Sequence, residues 1–316
     1  MSCSPVLFLI FNRPETTVRV FESIRNARPA QLFIAADGPR TVYPEEEHIC
    51  AEVRRVIDRV DWPCEVKTLF NDQNLGCRRA VSSAVTWFFE NVEAGIVLED
   101  DCLPEPTFFK FCTELLAKYE LDSRIGMISG NNFSPALYNA DLSYSFSRHG
   151  LIWGWATWKR AWNEYLTGHQ LSEIEIDLIK ANISQNRRFA EYWWKGAYAA
   201  IQGELDTWDY LWGVTRYKNN FLVIRPKVNL VANIGFGANS THTGGKADKQ
   251  YEISEAISFP LKHPALMVPD RISDYALEIH LAGKPRNKLQ YLINYLSSVK
   301  LHVSKLLKNW GRTNIT

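Results

Sequence analysis

No cysteine occurs in the last two thirds of this sequence: Cys3, Cys50, Cys64, Cys77, Cys102 and Cys112 all fall within the first 112 residues, without a C-x-x-C pair. That distribution argues against a disulfide framework or a zinc site and reads as buried thiols in a reducing compartment. Charge of either sign is not in excess. With 36 basic and 35 acidic residues the formal charge is +1, so no global field would draw in nucleic acid or an acidic polymer. Long hydrophobic runs are missing too. Met1-Ser2-Cys3-Ser4-Pro5 passes straight into the short apolar run Val6–Phe11, without the basic start or the length of a signal peptide or membrane anchor, so a cytoplasmic location is expected. There is no internal repeat and no low-complexity tract.

What is present is the alternation of an α/β protein. The apolar runs Val6–Phe11, Leu32–Ala36, Val66–Phe70 and Ile96–Leu98 are separated by helical patterns over Pro14–Asn26, Tyr43–Val60 and Cys77–Asn91. Continuous apolar strands alternating with helices predict a mostly parallel sheet covered on both faces. Ligands of such sheets bind beyond the carboxyl ends of the strands. Each predicted strand ends in polar residues: Asn12-Arg13, Asp37-Gly38-Pro39-Arg40, Asn71-Asp72-Gln73-Asn74-Leu75-Gly76 and Glu99-Asp100-Asp101. Turns are generally rich in Asn, Asp and Gly, but four such ends in one sheet predict a shared site.

Further helices are expected at Pro104–Glu120, Thr157–Tyr165, Ser172–Asn182, Arg187–Ile201 and Thr207–Asn219, and a strand at Ile125–Ser129. Residues 133–150 read as irregular, and 231–250, with four glycines among Asn, Ser and Thr, as a loop. Of 11 tryptophans, eight lie between Trp153 and Trp212. Their flat faces suit either sugar rings or an ordinary core. From Leu281 to Thr316 there are seven Lys or Arg residues and no acid, with apolar residues at helical spacing. A basic amphipathic helix over 285–312 could lie on the inner face of an anionic membrane or dock on protein. The length suits a single domain with elaborations, divided here into residues 1–130, 131–250 and an extension over 251–316.

The acidic run poses the main chemical question. Three adjacent carboxylates at the end of a buried strand repel one another unless a cation joins them. Carboxylate oxygens suit Mg²⁺ or Mn²⁺, held by one or two protein groups with phosphate and water completing the shell. The plainer alternative is a solvated acidic helix start.

At these residues the sequence resembles a known family. Glu99-Asp100-Asp101 followed by Leu103-Pro104-x-Pro106-x-Phe108-Phe109 is similar to the D-x-D segment of GT-A fold glycosyltransferases, and most of all to the inverting N-acetylglucosaminyltransferase I type. The likeness extends to Pro5-Val6-Leu7 through Asn12-Arg13, to Ala36-Asp37, to Trp208-Asp209, and to Arg225-Pro226-Lys227-Val228 with Asn233-Ile234-Gly235 and Ser240-Thr241-His242. Asn74-Leu75-Gly76 is also similar to bacterial family-2 glycosyltransferases. The resemblance implies a Rossmann-like GT-A sheet with a nucleotide-sugar-binding half over 1–130 and a Trp-rich acceptor-binding and catalytic half over 131–250. It implies that Asp101 ligates Mn²⁺ or Mg²⁺, that Glu99 and Asp100 face the donor sugar and ribose, that Asp37 meets the uracil edge, and that Arg13 contacts the nucleotide. It makes Asp209 the general base and closes the loop bearing Ser240 and His242 over the diphosphate. The match is loosest at Cys77-Arg78-Arg79, and Tyr210 stands where the family has a second acid.

Read without the family, Asp209 could simply be a first-turn helix acid, with Asp206 on nearly the same face as a reserve base. His242 could contact phosphate or metal or be exposed. The expected activity is inverting, metal-dependent transfer of a sugar from a nucleotide diphosphate, most simply UDP, to a glycan, lipid or protein hydroxyl. Two alternatives compete: a non-catalytic carbohydrate-binding module with a structural ion, and a sugar-nucleotidyltransferase. The latter would be expected to carry a Gly-rich basic loop after the first strand, where Asn12-Arg13-Pro14-Glu15 stands. Oligomeric state is left open.

Overall fold

The structure, a computed structural model, describes residues 2–133, 141–166, 171–236 and 249–283. Four strands, β1 (Val6–Ile10), β2 (Gln31–Ala36), β3 (Glu65–Phe70) and β4 (Ala94–Glu99), pair in parallel in the order β3-β2-β1-β4. They are joined by α1 (Pro14–Ala27), α2 (Glu46–Arg54) with a 3₁₀ turn over Arg55–Arg59, and α3 (Cys77–Asn91). Strands β1, β2 and β4 are apolar along nearly their whole length because helices cover both faces. Edge strand β3 carries Glu65 and Lys67, charges that keep an open edge from pairing with another chain.

Helix α1 shows how the sequence sets its own limits. Pro14 starts it where a missing N–H costs nothing, Val20, Phe21 and Ile24 form its buried face, and Arg28 ends it in the left-handed region at φ 50°. The predicted helix over Tyr43–Val60 is shorter as α, beginning after Pro44. Its Glu46 is buried and accepts hydrogen bonds from Arg40 and Asn12 instead of facing solvent.

The second half of the chain extends the same sheet. Beyond β4 lie β8 (Trp155–Trp158), β6 (Ile125–Ser129), β9 (Leu222–Pro226) and β7 (Tyr144–Ser147), completing eight strands in a mixed, Rossmann-like α/β architecture. A separate ribbon pairs β5 (Cys102–Pro104) with β10 (Val231–Asn233) antiparallel, and α4 (Thr107–Lys118) follows it. The helix predicted from Pro104 therefore starts later, since residues 102–104 are taken by the ribbon.

Strand β8 takes the first two residues of the helix predicted over Thr157–Tyr165, which shrinks to α5 (Lys159–Trp162). Trp155, Trp158 and Trp162 do fall at helical spacing. In the folded chain, however, β8 fills the gap between β4 and β6, where unpaired backbone groups would be buried without partners. Strand β7, missed in the irregular stretch 133–150, is recruited to the edge by β9 in the same way.

Two apolar layers sandwich the sheet. One packs against α1, α2 and α4; the other against α3, α5, α6 (Glu173–Ile183), α7 (Arg187–Gln202) and α8 (Asp209–Lys218). The tryptophans belong mainly to the second. Trp155 stacks on Trp208 at 5.5 Å and 22°, and Trp162 on Tyr165 at 4.3 Å and 14°. Of the eight, Trp155, Trp158, Trp162, Trp194, Trp208 and Trp212 are buried, so the cluster is core first, and Trp153 is the half-buried one that reaches the cleft described below.

Helix α9 (Arg271–Ala282), capped by Asp270, closes the β7 edge through Asp274, which accepts from Ser147 Oγ and Arg148 N, and Glu278, 2.9 Å from His149 Nε2. Among the described residues no helix is long and apolar enough to cross a membrane. The amphipathic pattern over 285–312 lies outside the described residues. Replacing Trp155 by alanine removes the centre of the aromatic layer and is expected to cost about 3–5 kcal/mol in urea unfolding, with a loss below 1 kcal/mol showing that the layer repacks around the gap.

Candidate active-site cleft

The carboxyl ends of β1 to β4 open into one cleft of about 490 Å³. It is lined by six carboxylates, Asp37, Glu99, Asp100, Asp101, Asp206 and Asp209, against two arginines, Arg13 and Arg40. Its far wall is apolar and built from small side chains, with Ala35 on β2 facing Ala80, Val81 and Ala84 on α3. Trp153 and Trp208 close the other side.

The acidic triplet sits where β4 turns into β5. Asp100 accepts from the Phe11 amide at 3.1 Å and lies 3.4 Å from Arg13 Nη1, and the same nitrogen is 2.6 Å from Asp101 Oδ2. Burial pushes the Asp100 carboxyl up to about 7, aided by the Asp101 charge and opposed by Arg13. Burial, and then the neighbouring Asp101, Asp100 and Asp209 charges, raise Glu99 well above the ordinary carboxylate range. Burial by itself would lower the Arg13 guanidinium, but Asp100 and Asp101 reverse that and hold it up. One arginine thus faces a crowd of acids that it cannot neutralise.

An excess of carboxylates is a setting that a hard cation could join, and Asp101, bound by Arg13 and lining the cleft, is the acid that the resemblance makes its ligand. The β5–β10 ribbon brings Ile234 N to 2.8 Å from the Asp101 carbonyl, and a Cβ on Gly235 would stand 2.3 Å from Asp101 Oδ2, so only glycine fits there. Among the described residues no group of three His, Cys, Asp or Glu side chains could hold a metal alone, which leaves substrate oxygens and water to complete any shell.

The remaining expected site residues divide. Asp209, the first residue of α8, lines the cleft and accepts a short hydrogen bond from Thr207 Oγ. Asp37 also lines it, but each of its oxygens already accepts three hydrogen bonds: Gly38 N, Asn71 Nδ2 and Leu75 N on one, and Asn74 Nδ2, Leu75 N and Gly76 N on the other. Asp206 accepts from Cys77 N at 2.9 Å and Arg78 N at 3.1 Å. Arg78 donates to the Ala200 carbonyl at the end of α7. Ser240 and His242 lie outside the described residues.

Two features were given no role of their own in the sequence, although Arg40 stands in one of the polar strand ends. Arg40 is held over the cleft by buried Glu46 and stacks on Tyr43, 4.5 Å from the ring centre. The small-residue wall was visible only as Ala80 and Ala84 four apart on α3, a spacing common to many helices.

No protein-family model and no curated protein matches the chain. Among solved structures it is similar to HddC of Yersinia pseudotuberculosis, at 10% identity over 52% of this chain and 80% of that one, with a TM-score of 0.32. A UDP-glucose pyrophosphorylase bound to UDP-glucose matches at 15% identity over 47% and 64%, with a TM-score of 0.28. A mannose-1-phosphate geranyltransferase of Thermus thermophilus matches at 13% over 72% and 74%, with a TM-score of 0.35. None of these three names is that of an N-acetylglucosaminyltransferase.

The crowded acids make a pH prediction for the metal-free protein. The Asp100 carboxyl rises from 3.8 unfolded to about 7 folded, so the folded state binds its proton more tightly. Its stabilisation is complete below the unfolded value and is lost as pH rises through the folded one. The urea midpoint should therefore fall between about pH 4 and about pH 7, and Asp101→Asn, which removes the neighbouring charge that helps to raise Asp100, should flatten that fall. An equally steep fall in the variant would mean that the acids are not in mutual repulsion.

Proposed function

We propose that this protein is an inverting, metal-dependent glycosyltransferase acting on a nucleoside diphosphate sugar. The supporting observation is the placement of the β4 acidic triplet and Asp209 in one cleft at the strand ends, with Arg13 paired to Asp100 and Asp101. Asp101 would hold Mn²⁺ or Mg²⁺, which supplies neutralisation of the departing diphosphate. Arg13 shares the diphosphate charge from the opposite side of Asp101. The apolar wall between β2 and α3 gives a flat base its contact surface, and Asn71 and Asn74 stand at its edge. The uracil contact that the family resemblance gives Asp37 would have to share a carboxylate already committed to the Asn71–Gly76 loop, so Asp37 acts there at least partly by ordering that loop. Asp100 and Glu99, whose carboxyls burial raises, would face the ribose and the sugar of the donor.

Asp209 takes the proton from the acceptor hydroxyl as it attacks the anomeric carbon, and one displacement with one base inverts that carbon. The half-buried Trp153 lines the cleft and would offer its face to the acceptor. Ser240 and His242 belong to a segment that would meet the diphosphate. UDP is preferred to other nucleotides through the resemblance, and the acceptor is a glycan, lipid or protein hydroxyl.

Sugar-nucleotidyl transfer is the second reading, and the names of the structural neighbours stand nearer to it. It shares with the first an enzyme that binds nucleotide and sugar. A triphosphate, however, would bring further negative charge to a cleft of six carboxylates and two arginines, after a β1–α1 connection of only Phe11-Asn12-Arg13. A non-catalytic sugar-binding module would need exposed aromatic faces, and most of the tryptophans here are buried.

Calorimetric titration with UDP, with and without Mn²⁺, tests the donor site. Binding should require the metal and disappear in Asp101→Ala. Asp209→Asn should keep UDP affinity and lose about 10²–10⁴-fold in sugar transfer or donor hydrolysis. Release of pyrophosphate from UTP and a sugar 1-phosphate would instead establish nucleotidyl transfer.

A further inference from the structure

Asp206 has no place in the chemistry above, yet it makes a contact of very long range in sequence. Its carboxylate binds the Cys77 and Arg78 amides at the head of α3, 129 and 128 residues earlier. Asp37 binds the two preceding amides, Leu75 and Gly76. Four successive N–H groups at the start of a 15-residue helix are therefore held by two carboxylates, one from the end of β2 and one from the turn before α8. Anions are favoured at that end of a helix, and the backbone is shaped to admit this one. Gly76 adopts φ +79°, and a Cβ there would lie 2.5 Å from Asp206 Oδ2.

The turn that carries Asp206 also carries Asp209. Thr207 Oγ donates to Asp209 Oδ1, and Trp208 between them is pinned on Trp155. We infer that Asp206 is a positioning residue that locks the Asp206–Asp209 turn to the N-terminus of α3, setting where the Asp209 carboxylate stands above the donor cleft. The inference rests on the role proposed for Asp209. It makes a selective demand: the clamp fixes the base, whereas Val81 and Ala84, the α3 residues of the apolar wall beyond the first turn, are held by packing farther along the helix.

The test compares the full chain with Asp206→Ala and Asp206→Asn, reading amide hydrogen exchange over 75–80 and 205–209, UDP affinity, and kcat and KM for sugar transfer or donor hydrolysis. In Asp206→Ala, exchange at Cys77, Arg78 and the Thr207–Asp209 turn should accelerate at least about tenfold as the local opening cost falls. Turnover should drop about tenfold to a hundredfold through misplacement of the base, with KM and UDP affinity within about twofold of wild type, because the apolar wall stays packed. Asp206→Asn, which keeps an acceptor oxygen, should recover part of both losses and serves alone where the alanine variant does not fold. Unchanged exchange in both segments overturns the clamp. Accelerated exchange with unchanged kcat, or a fall in UDP affinity equal to that in kcat, overturns the positioning role. If the wild type neither binds UDP nor turns over, the proposed function fails, while exchange at 205–209 still decides whether Asp206 holds that turn.

Discussion

The crowding of Glu99, Asp100 and Asp101 around one arginine is the interaction on which this molecule turns. Burial raises the cost of each charge, and Arg13 can offset only part of it. A fold optimised for stability alone would place neutral residues at the end of β4. The strands upstream of the triplet are the rigid support that makes such an arrangement bearable: β1 and β2 are buried along nearly their whole length, and β1 pairs in parallel with β2 on one side and β4 on the other. This crowding stands at the strand ends, where the cleft opens.

The second constraint is the use made of the α3 N-terminus. In many nucleotide-binding α/β proteins such a helix end receives phosphate. Here the first amides of the helix and of the turn before it already hold Asp37 and Asp206. Those contacts tie the Asn71–Gly76 loop to β2 on one side and the α8 turn to α3 on the other. Among the described residues that line the cleft, Arg13 and Arg40 are the cationic side chains. The same two carboxylates organise the walls of the cleft.

Aromatic packing explains how the two halves of the sheet stay in register around that cleft. Trp155 sits on the central strand β8 and meets Trp162, Trp208 and Trp212 within 6.0 Å between ring centres. Trp208 therefore does two things: it fills the core under β8 and fixes the turn from which Asp209 projects. The site inherits its rigidity from the core directly, without an intervening loop of any length.

The sequence alone determined the parallel half of the fold and the acidic end of β4, because those features are local. Continuous apolar runs such as Val6–Ile10, a proline at the head of α1, and three acids in a row each state their physical reason within a few residues. Arg13, Asp37 and Asp101 could be placed at one edge because parallel strands all point the same way. Only the tertiary structure decided the rest. Thr157 and Trp158 read as the start of a helix and became the end of strand β8, because β4 and β6 needed a partner between them. Asp37 and Asp206 read as a ligand contact and a reserve base, and their oxygens turned out to be held by amides supplied by other elements. A carboxylate's role depends on which donors reach it, and those donors are brought from more than a hundred residues away by packing that no short-range pattern records.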